Sequence, residues 1–229
     1  NNIVDMGSNQ YPSIGWTREA VKGKMNIVYP FHISEYAHSM GNAGGNLIDY
    51  WEAIESTNFF IGGAIWDWAD QAFWNVDPKT GDKYMGYGGD FGDRPNDHTF
   101  CMNGIIFPDH SPKPQYWEVK KVYQNVKFTY SGGKVLLKNK YNFTNLGEFD
   151  IVYDIVKNGE VVYSELVQAP MAESGEIGKV WLTVRKANIN RAAKKGDELL
   201  INIHVLQRNA QTYSPAGHEV ATAQFTLVE

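Results

Sequence analysis

Two kinds of hydrophobic pattern meet near residue 125. Before it, compact apolar runs alternate with segments of helical period; beyond it, apolar and polar residues alternate in short runs. In the first part, residues 2–6 read as a short buried strand, 7–15 as a turn-rich loop carrying Tyr11-Pro12-Ser13, and 16–24 as a charged, roughly helical segment. The apolar run 27–33 reads as a second buried strand. It ends in Ser34-Glu35-Tyr36-Ala37-His38-Ser39-Met40-Gly41-Asn42, with Asn42 as N-cap of the next helix. Leu47, Ile48, Trp51 and Ile54 repeat with a helical period across 46–57, and 62–66 reads as a third strand whose glycines imply close backbone approach or a bend. Residues 71–107 lack a clear period. Their aromatic and apolar content argues against disorder, so they read as an ordered functional loop. Pro114 suits the first turn of a helix over 115–124.

Beyond residue 125, runs at 126–130, 135–139, 149–156, 161–166, 179–184, 198–207 and 219–227 read as strands. Lys157-Asn158-Gly159-Glu160 is a hairpin signal, because Asn-Gly tolerates the positive φ angles of a type I′ turn. The predicted architecture is α/β plus all-β. Residues 1–125 form the last portion of a (β/α)8 TIM barrel, and residues 126–229 form an immunoglobulin-like antiparallel β-sandwich.

Composition narrows the function classes. The 229 residues carry a net charge of −5 with no Lys/Arg cluster, which argues against a nucleic-acid partner. No membrane-spanning run or signal peptide is read, and the compartment stays open between cytoplasm and periplasm. The single cysteine, Cys101, makes no internal disulfide; with no His or Lys paired to it in sequence, it reads as an inert packed thiol. Seven Trp and thirteen Tyr are many. Core packing is the plainer use for most of them, and sugar-binding platforms the other, because a flat π-face fits the C–H face of a pyranose.

The candidate chemistry starts from Glu35. A lone glutamate after a strand is usually solvated, but a carboxylate and His38 released just before a helix is what a (β/α) barrel presents at its catalytic face. Residue pattern alone leaves other plain readings open. Tyr11 reads as a packed loop tyrosine and His38 as a structural histidine. Strand alternation puts Trp66 and Trp68 on one face, in the core or at a barrel mouth, with Asp67 on the other. The turn Asp93-Arg94-Pro95-Asn96-Asp97 reads as solvated.

Four blocks, in order over roughly the first half of the chain, resemble the family 2 β-galactosidases, the large LacZ-type enzymes. They are Ser34 to Asn42 as written above, Gly62-Gly63-Ala64-Ile65-Trp66-Asp67-Trp68-Ala69-Asp70-Gln71, Tyr87-Gly88-Gly89-Asp90-Phe91-Gly92-Asp93-Arg94-Pro95-Asn96-Asp97, and Phe100-Cys101-Met102-Asn103-Gly104. The second half resembles that family's following β-sandwich domain through Val180-Trp181-Leu182-Thr183-Val184 and Ala216-Gly217-His218. The resemblance implies barrel strands six to eight, in a fragment of a longer, homo-oligomeric protein. It implies retaining hydrolysis of terminal β-D-galactosides such as lactose through a covalent galactosyl-enzyme.

Carried over residue by residue, Glu35 would be the nucleophile and Tyr11 the tyrosine hydrogen-bonded to it. Tyr36, Ala37 and His38 would make a substrate-facing turn, with His38 donating to galactosyl hydroxyls. Trp66 would lie under the sugar ring, and Asp67 would be a structural acceptor. The Phe100 carbonyl and the Asn103 side chain would be Na+ ligands, Asn103 also lying near the sugar, and Asn96 would serve a second Mg2+. The main Mg2+ ligands and the acid/base glutamate have no match here, so the isolated chain is expected to be inactive. An incomplete barrel is also expected to self-associate. Two rivals stand beside this reading: another family 2 activity (β-glucuronidase or β-mannosidase), which the Ala37-to-Asn42 continuation disfavours, and a non-catalytic carbohydrate-binding module.

Overall fold

The computed structural model describes residues 4–27, 29–182 and 196–228, and the chain falls into two compact units divided between Val122 and Tyr123. The first unit is built on three parallel strands in the order β1 (Gly7–Gln10), β2 (Phe31–Tyr36), β3 (Phe60–Ile65). Helix α1 (Ile14–Ala20) connects β1 to β2, and α2 (Leu47–Ile54) connects β2 to β3. Phe31, Ile33 and Tyr36 of β2 turn into a core shared with Ala20, Leu47, Ile54 and Phe60. Burying side chains of this size stabilises the layer by about 1.5–3 kcal/mol each.

Strand β1 corrects the reading of its region. Residues 4–6 carry no strand, residues 2 and 3 lie outside the described residues, and the strand is the polar segment beginning at Gly7. Its signal is backbone pairing, not apolarity: Gly7 to Gln10 pair in parallel with Phe31 to Glu35. A Cβ on Gly7 would stand 2.6 Å from the Tyr29 ring and 2.7 Å from the Phe31 ring, so only glycine fits there.

Strand β2 also runs further than expected. Asn9 pairs with Ile33 but Gln10 with Glu35, while Ile33 pairs with Gly63 but Tyr36 with Ile65. Relative to both neighbours, β2 carries one extra residue around Ser34 and Glu35. That bulge breaks the alternation, which returns Tyr36 to the core and leaves Glu35 half-buried.

The helix starts differ for a local reason. In α1, Ser13 is the N-cap, its hydroxyl accepting the Trp16 N–H at 3.1 Å. In α2 the cap position is Asn46, not Asn42; it makes no side-chain cap, and Glu118 of α3 (Pro114–Val122) accepts the Leu47 N–H at 3.1 Å instead. Pro114 does open its helix. The long stretch before it contains an antiparallel hairpin, β4 (Phe73–Val76) with β5 (Lys83–Gly86), and a 3-10 turn at His98–Cys101. No helix among the described residues is long and apolar enough to cross a membrane.

The second unit has two antiparallel sheets. One has the order β10 (Ile177–Trp181), β7 (Lys134–Asn139), β6 (Val126–Ser131). The other has the order β12 (Glu219–Val228), β11 (Leu199–Gln207), β8 (Phe149–Lys157), β9 (Glu160–Gln168). Val126, Val135, Leu137 and Val180 of the first sheet share one core with Ile151, Tyr153, Ile201 and Ile203 of the second. The 179–184 run begins earlier than read, and its residues 183 and 184 lie outside the described residues. Asn158 and Gly159 have φ of 50° and 86°, the two positive angles a type I′ turn needs. Asn139 is fully buried and satisfied: its amide donates to the Thr144 and Ala172 carbonyls at 2.8 and 2.9 Å, and its Oδ1 accepts the Tyr141 N–H at 2.8 Å.

Candidate active site

Three segments of the first unit are sewn side by side by backbone hydrogen bonds. The Tyr36 carbonyl accepts the Trp66 N–H at 3.0 Å, and the Trp66 carbonyl accepts the Ser39 N–H at 3.1 Å. The Asn103 carbonyl accepts the Asp67 N–H at 2.8 Å and the Ser39 N–H at 3.3 Å. Gly104 permits this approach: a Cβ there would sit 2.2 Å from the Ala69 carbonyl carbon. Beneath it, the buried Asp70 accepts the Gly104 N–H at 2.8 Å and pairs with the buried Lys113 at 2.6 Å.

Glu35 stands at this seam. Its carbonyl accepts the Tyr11 N–H at 2.8 Å, and the Tyr11 side chain hydrogen-bonds to Glu35. The Tyr11 hydroxyl pKa is pushed up to about 12, first by partial burial, then by the Glu35 charge and hydrogen bond and the Asp67 charge. Tyr11 and Ala37 lie in the left-handed region, with φ of 48° and 52°. Such positions cost about 1–3 kcal/mol each and gather at functional sites.

The His38 ring lies between Tyr11, with centroids 6.3 Å apart, and Phe100, at 5.4 Å. His38 Nε2 and Asn103 Oδ1 are buried and have no hydrogen-bond partner among the described residues, although Asn103 is only 3% exposed. An orphaned buried polar atom costs about 1–3 kcal/mol, and each of these two is a point at which a polar ligand would recover that cost.

The remaining expected residues divide. Strand β3 ends at Ile65, so alternation does not govern Trp66 and Trp68; both residues are exposed in this chain, at 38% and 59%, and neither enters its buried core. Asp67 is held locally, its carboxylate accepting the Trp68 N–H at 2.5 Å and the Gln71 amide at 3.0 Å. Tyr36 is 1% exposed, and its hydroxyl accepts the Trp51 indole N–H at 2.9 Å. Its side chain therefore faces the core, and only its backbone joins the site.

Among the described residues no His/Cys/Asp/Glu group gathers as a metal site. Asn103 Nδ2 donates to the Phe100 carbonyl at 3.0 Å, so the amide nitrogen faces that carbonyl, while the orphaned Oδ1 is a hard oxygen of the kind a sodium ion takes. Asn96 is held within its own turn. Its amide donates to the Asp93 carbonyl at 2.8 Å, its Oδ1 accepts the His98 N–H at 3.2 Å, and the Asp93 carboxylate accepts the Gly89 N–H at 3.0 Å. A separate cavity of about 560 Å3 lies under the Gly41–Gly45 turn, lined also by Asp70, Lys113, Gln115 and Glu118; Glu35 and Tyr11 are not among its described lining residues.

The family model for glycosyl hydrolases family 2, TIM barrel domain, matches residues 2–128. The chain belongs to glycosyl hydrolase family 2. A second model, β-galactosidase domain 4, matches residues 135–228. Among family 2 relatives, a β-galactosidase of Priestia megaterium is 39% identical over 89% of this chain and 19% of its own length. The β-galactosidase 2 of Enterobacter cloacae is 34% identical over 93% of this chain and 20% of its own. The chain thus spans about a fifth of the length of these curated relatives. A solved β-glucuronidase of Bacteroides uniformis aligns over 98% of this chain and 26% of its own at 11% identity, with a TM-score of 0.35.

The Asp70–Lys113 pair and the contacts of Tyr50 and Trp51 are what sequence reasoning missed. Asp70 sits in a motif already singled out, but nothing local announces a partner 43 residues away.

Proposed function

We propose that this chain carries the nucleophile side of the active site of a retaining β-galactosidase, a longer enzyme that releases terminal β-D-galactose from β-galactosides such as lactose. One observation supports the reading above all. Glu35, on the bulged end of β2, is hydrogen-bonded to the Tyr11 side chain, the His38 ring lies 6.3 Å from that of Tyr11, and the Ser39 N–H ties the Asn103 segment to the same turn; His38 Nε2 and Asn103 Oδ1 are buried and lack partners among the described residues. In this reading the Glu35 carboxylate attacks the anomeric carbon. The bond from that carbon to the aglycone oxygen breaks, and the oxygen leaves with a proton from a second carboxylic acid. Water, deprotonated by that same second carboxyl, then hydrolyses the galactosyl ester with net retention.

The second carboxyl comes from a part of the enzyme outside residues 1–229, so the chain by itself is inactive. Tyr11 donates to Glu35 and keeps it ionised and oriented; its high pKa keeps the proton on the donor at neutral pH. His38 Nε2 and the Asn103 side chain bind sugar hydroxyls, the backbone of Tyr36 and Ala37 shapes the turn, and Trp66 supplies the platform under the ring. Phe100 and Asn103 would hold a sodium ion, which supplies a fixed positive charge beside the sugar. The second unit reads as an immunoglobulin-like sandwich and the parent as a homo-oligomer. Replacing Glu35 with alanine in the full enzyme tests the proposal. Activity should collapse, and azide should restore turnover with α-galactosyl azide as product; a Glu35→Ala enzyme that still hydrolyses galactosides overturns it.

A further inference from the structure

We infer that Tyr50 of α2 is a positioning residue, whose hydroxyl sets the reach of Tyr11 toward Glu35 by holding the neighbouring Pro12 carbonyl; this rests on the site proposed above. The Tyr50 hydroxyl donates to that carbonyl at 2.8 Å across 38 residues of sequence. The turn it holds has few fastenings of its own. Pro12 has no N–H to offer, and Tyr11 stands in the left-handed region with φ 48°. On one side the turn is tied by the Tyr11 N–H to the Glu35 carbonyl, and on the other by Ser13 as cap of α1. Between them, the Pro12 carbonyl is the point at which α2 takes hold.

The same Tyr50 ring packs edge-on against Tyr36, with centroids 5.5 Å apart and planes at 82°. Tyr36 is the residue after Glu35, and its hydroxyl accepts the Trp51 indole N–H. One side chain therefore touches the backbone beside the phenol and the ring beside the carboxylate. It spans the ends of β1 and β2, the two strands whose separation decides whether phenol and carboxylate meet. Burial raises the Tyr50 hydroxyl pKa, so it remains a donor across the working pH range. A purely structural ring would need only the Tyr36 contact, and phenylalanine would supply that.

Tyr50→Phe isolates the hydroxyl, since the ring packing stays. In the full galactosidase, kcat for a nitrophenyl galactoside should fall about fivefold to tenfold, as for loss of one hydrogen bond, with KM nearly unchanged. In a Tyr11→Phe background, Tyr50→Phe should cause no further loss, because Tyr11 is the group it positions. On the 229-residue chain itself, 13Cζ-tyrosine NMR, with Tyr11 assigned by its disappearance in Tyr11→Phe, should show the Tyr11 titration moving down from about 12 in Tyr50→Phe. Equal losses in both backgrounds, or an unmoved Tyr11 titration, overturn the inference. The two readings fail separately: an active Glu35→Ala enzyme removes the site, whereas an inactive, azide-rescued Glu35→Ala enzyme with an additive Tyr50 cycle removes only the role of Tyr50.

Discussion

Replacing Lys113 with methionine should destabilise the first unit far more than any exposed ion pair could. Lys113 Nζ lies 2.6 Å from Asp70 Oδ1, with side chains 8% and 2% exposed. Methionine keeps most of the stem's volume, so little packing is lost. What changes is that Asp70 stays buried with its charge unmatched and, among the described residues, only the Gly104 N–H on that oxygen. Breaking a buried pair from one side costs about 3–5 kcal/mol. Arg18 and Asp49, 54% and 36% exposed, provide the contrast: Arg18→Met should cost about 0–1 kcal/mol. For a unit of this size the Lys113 effect corresponds to roughly 10–20 °C in Tm. Urea unfolding followed by tryptophan fluorescence reads the right unit, because of the seven tryptophans all but Trp181 lie in it. A Lys113→Met variant that loses less than about 1 kcal/mol, indistinguishable from Arg18→Met, would refute the view that this pair is desolvated and braces the Asn103-Gly104 segment.

Further outcomes follow from the same geometry. Glu35→Gln removes a charge from Tyr11 but leaves burial and Asp67, so the phenol should titrate below about 12 and above its ordinary value of 10.0, as read by tyrosine NMR. The folded value lies above the ordinary one. The stability it contributes is therefore present below pH 10 and lost as pH rises toward 12, and Glu35→Gln should flatten that alkaline loss; an unchanged Tyr11 titration contradicts the pairing. Asn139→Ala strands two carbonyls and the Tyr141 N–H, and should cost the second unit about 2–5 kcal/mol by chemical denaturation, with less than about 1 kcal/mol counting against it. The outer edges of β1 and β3 have no further strand partner in their sheet among the described residues, so the chain should self-associate in light scattering. A monodisperse monomer with a single melting transition would speak against that.

The strands of the second unit were legible because each buries one face, as in β11, where buried and half-buried positions alternate from Leu199 to Gln207. The Asn158-Gly159 turn and the helix opened by Pro114 were legible because their backbone chemistry is local. β1 was not, since Gly7 to Gln10 show no apolar pattern and become a strand only by pairing with β2. The bulge that turns Glu35 out of the core leaves no trace in residue type, so the strand was ended early. In the 71–107 stretch, β4 and β5 expose Phe73 and Trp74 and so do not read as a core hairpin. The chemistry-bearing residues around Glu35 were named from motif resemblance. What supports them from behind was not, because Tyr50 to Pro12 and Lys113 to Asp70 are contacts between distant segments that only the fold brings together.

The central claim is that Glu35 forms a covalent bond to the anomeric carbon of galactose. Incubating the full enzyme with a 2-deoxy-2-fluoro-galactoside bearing an activated leaving group, then digesting and sequencing by mass spectrometry, tests it directly. The account predicts one fluoro-galactosyl adduct, on the peptide containing Ser34-Glu35-Tyr36 and located at Glu35. Inactivation with the label on a different carboxylate, or no label on an active preparation, would contradict it.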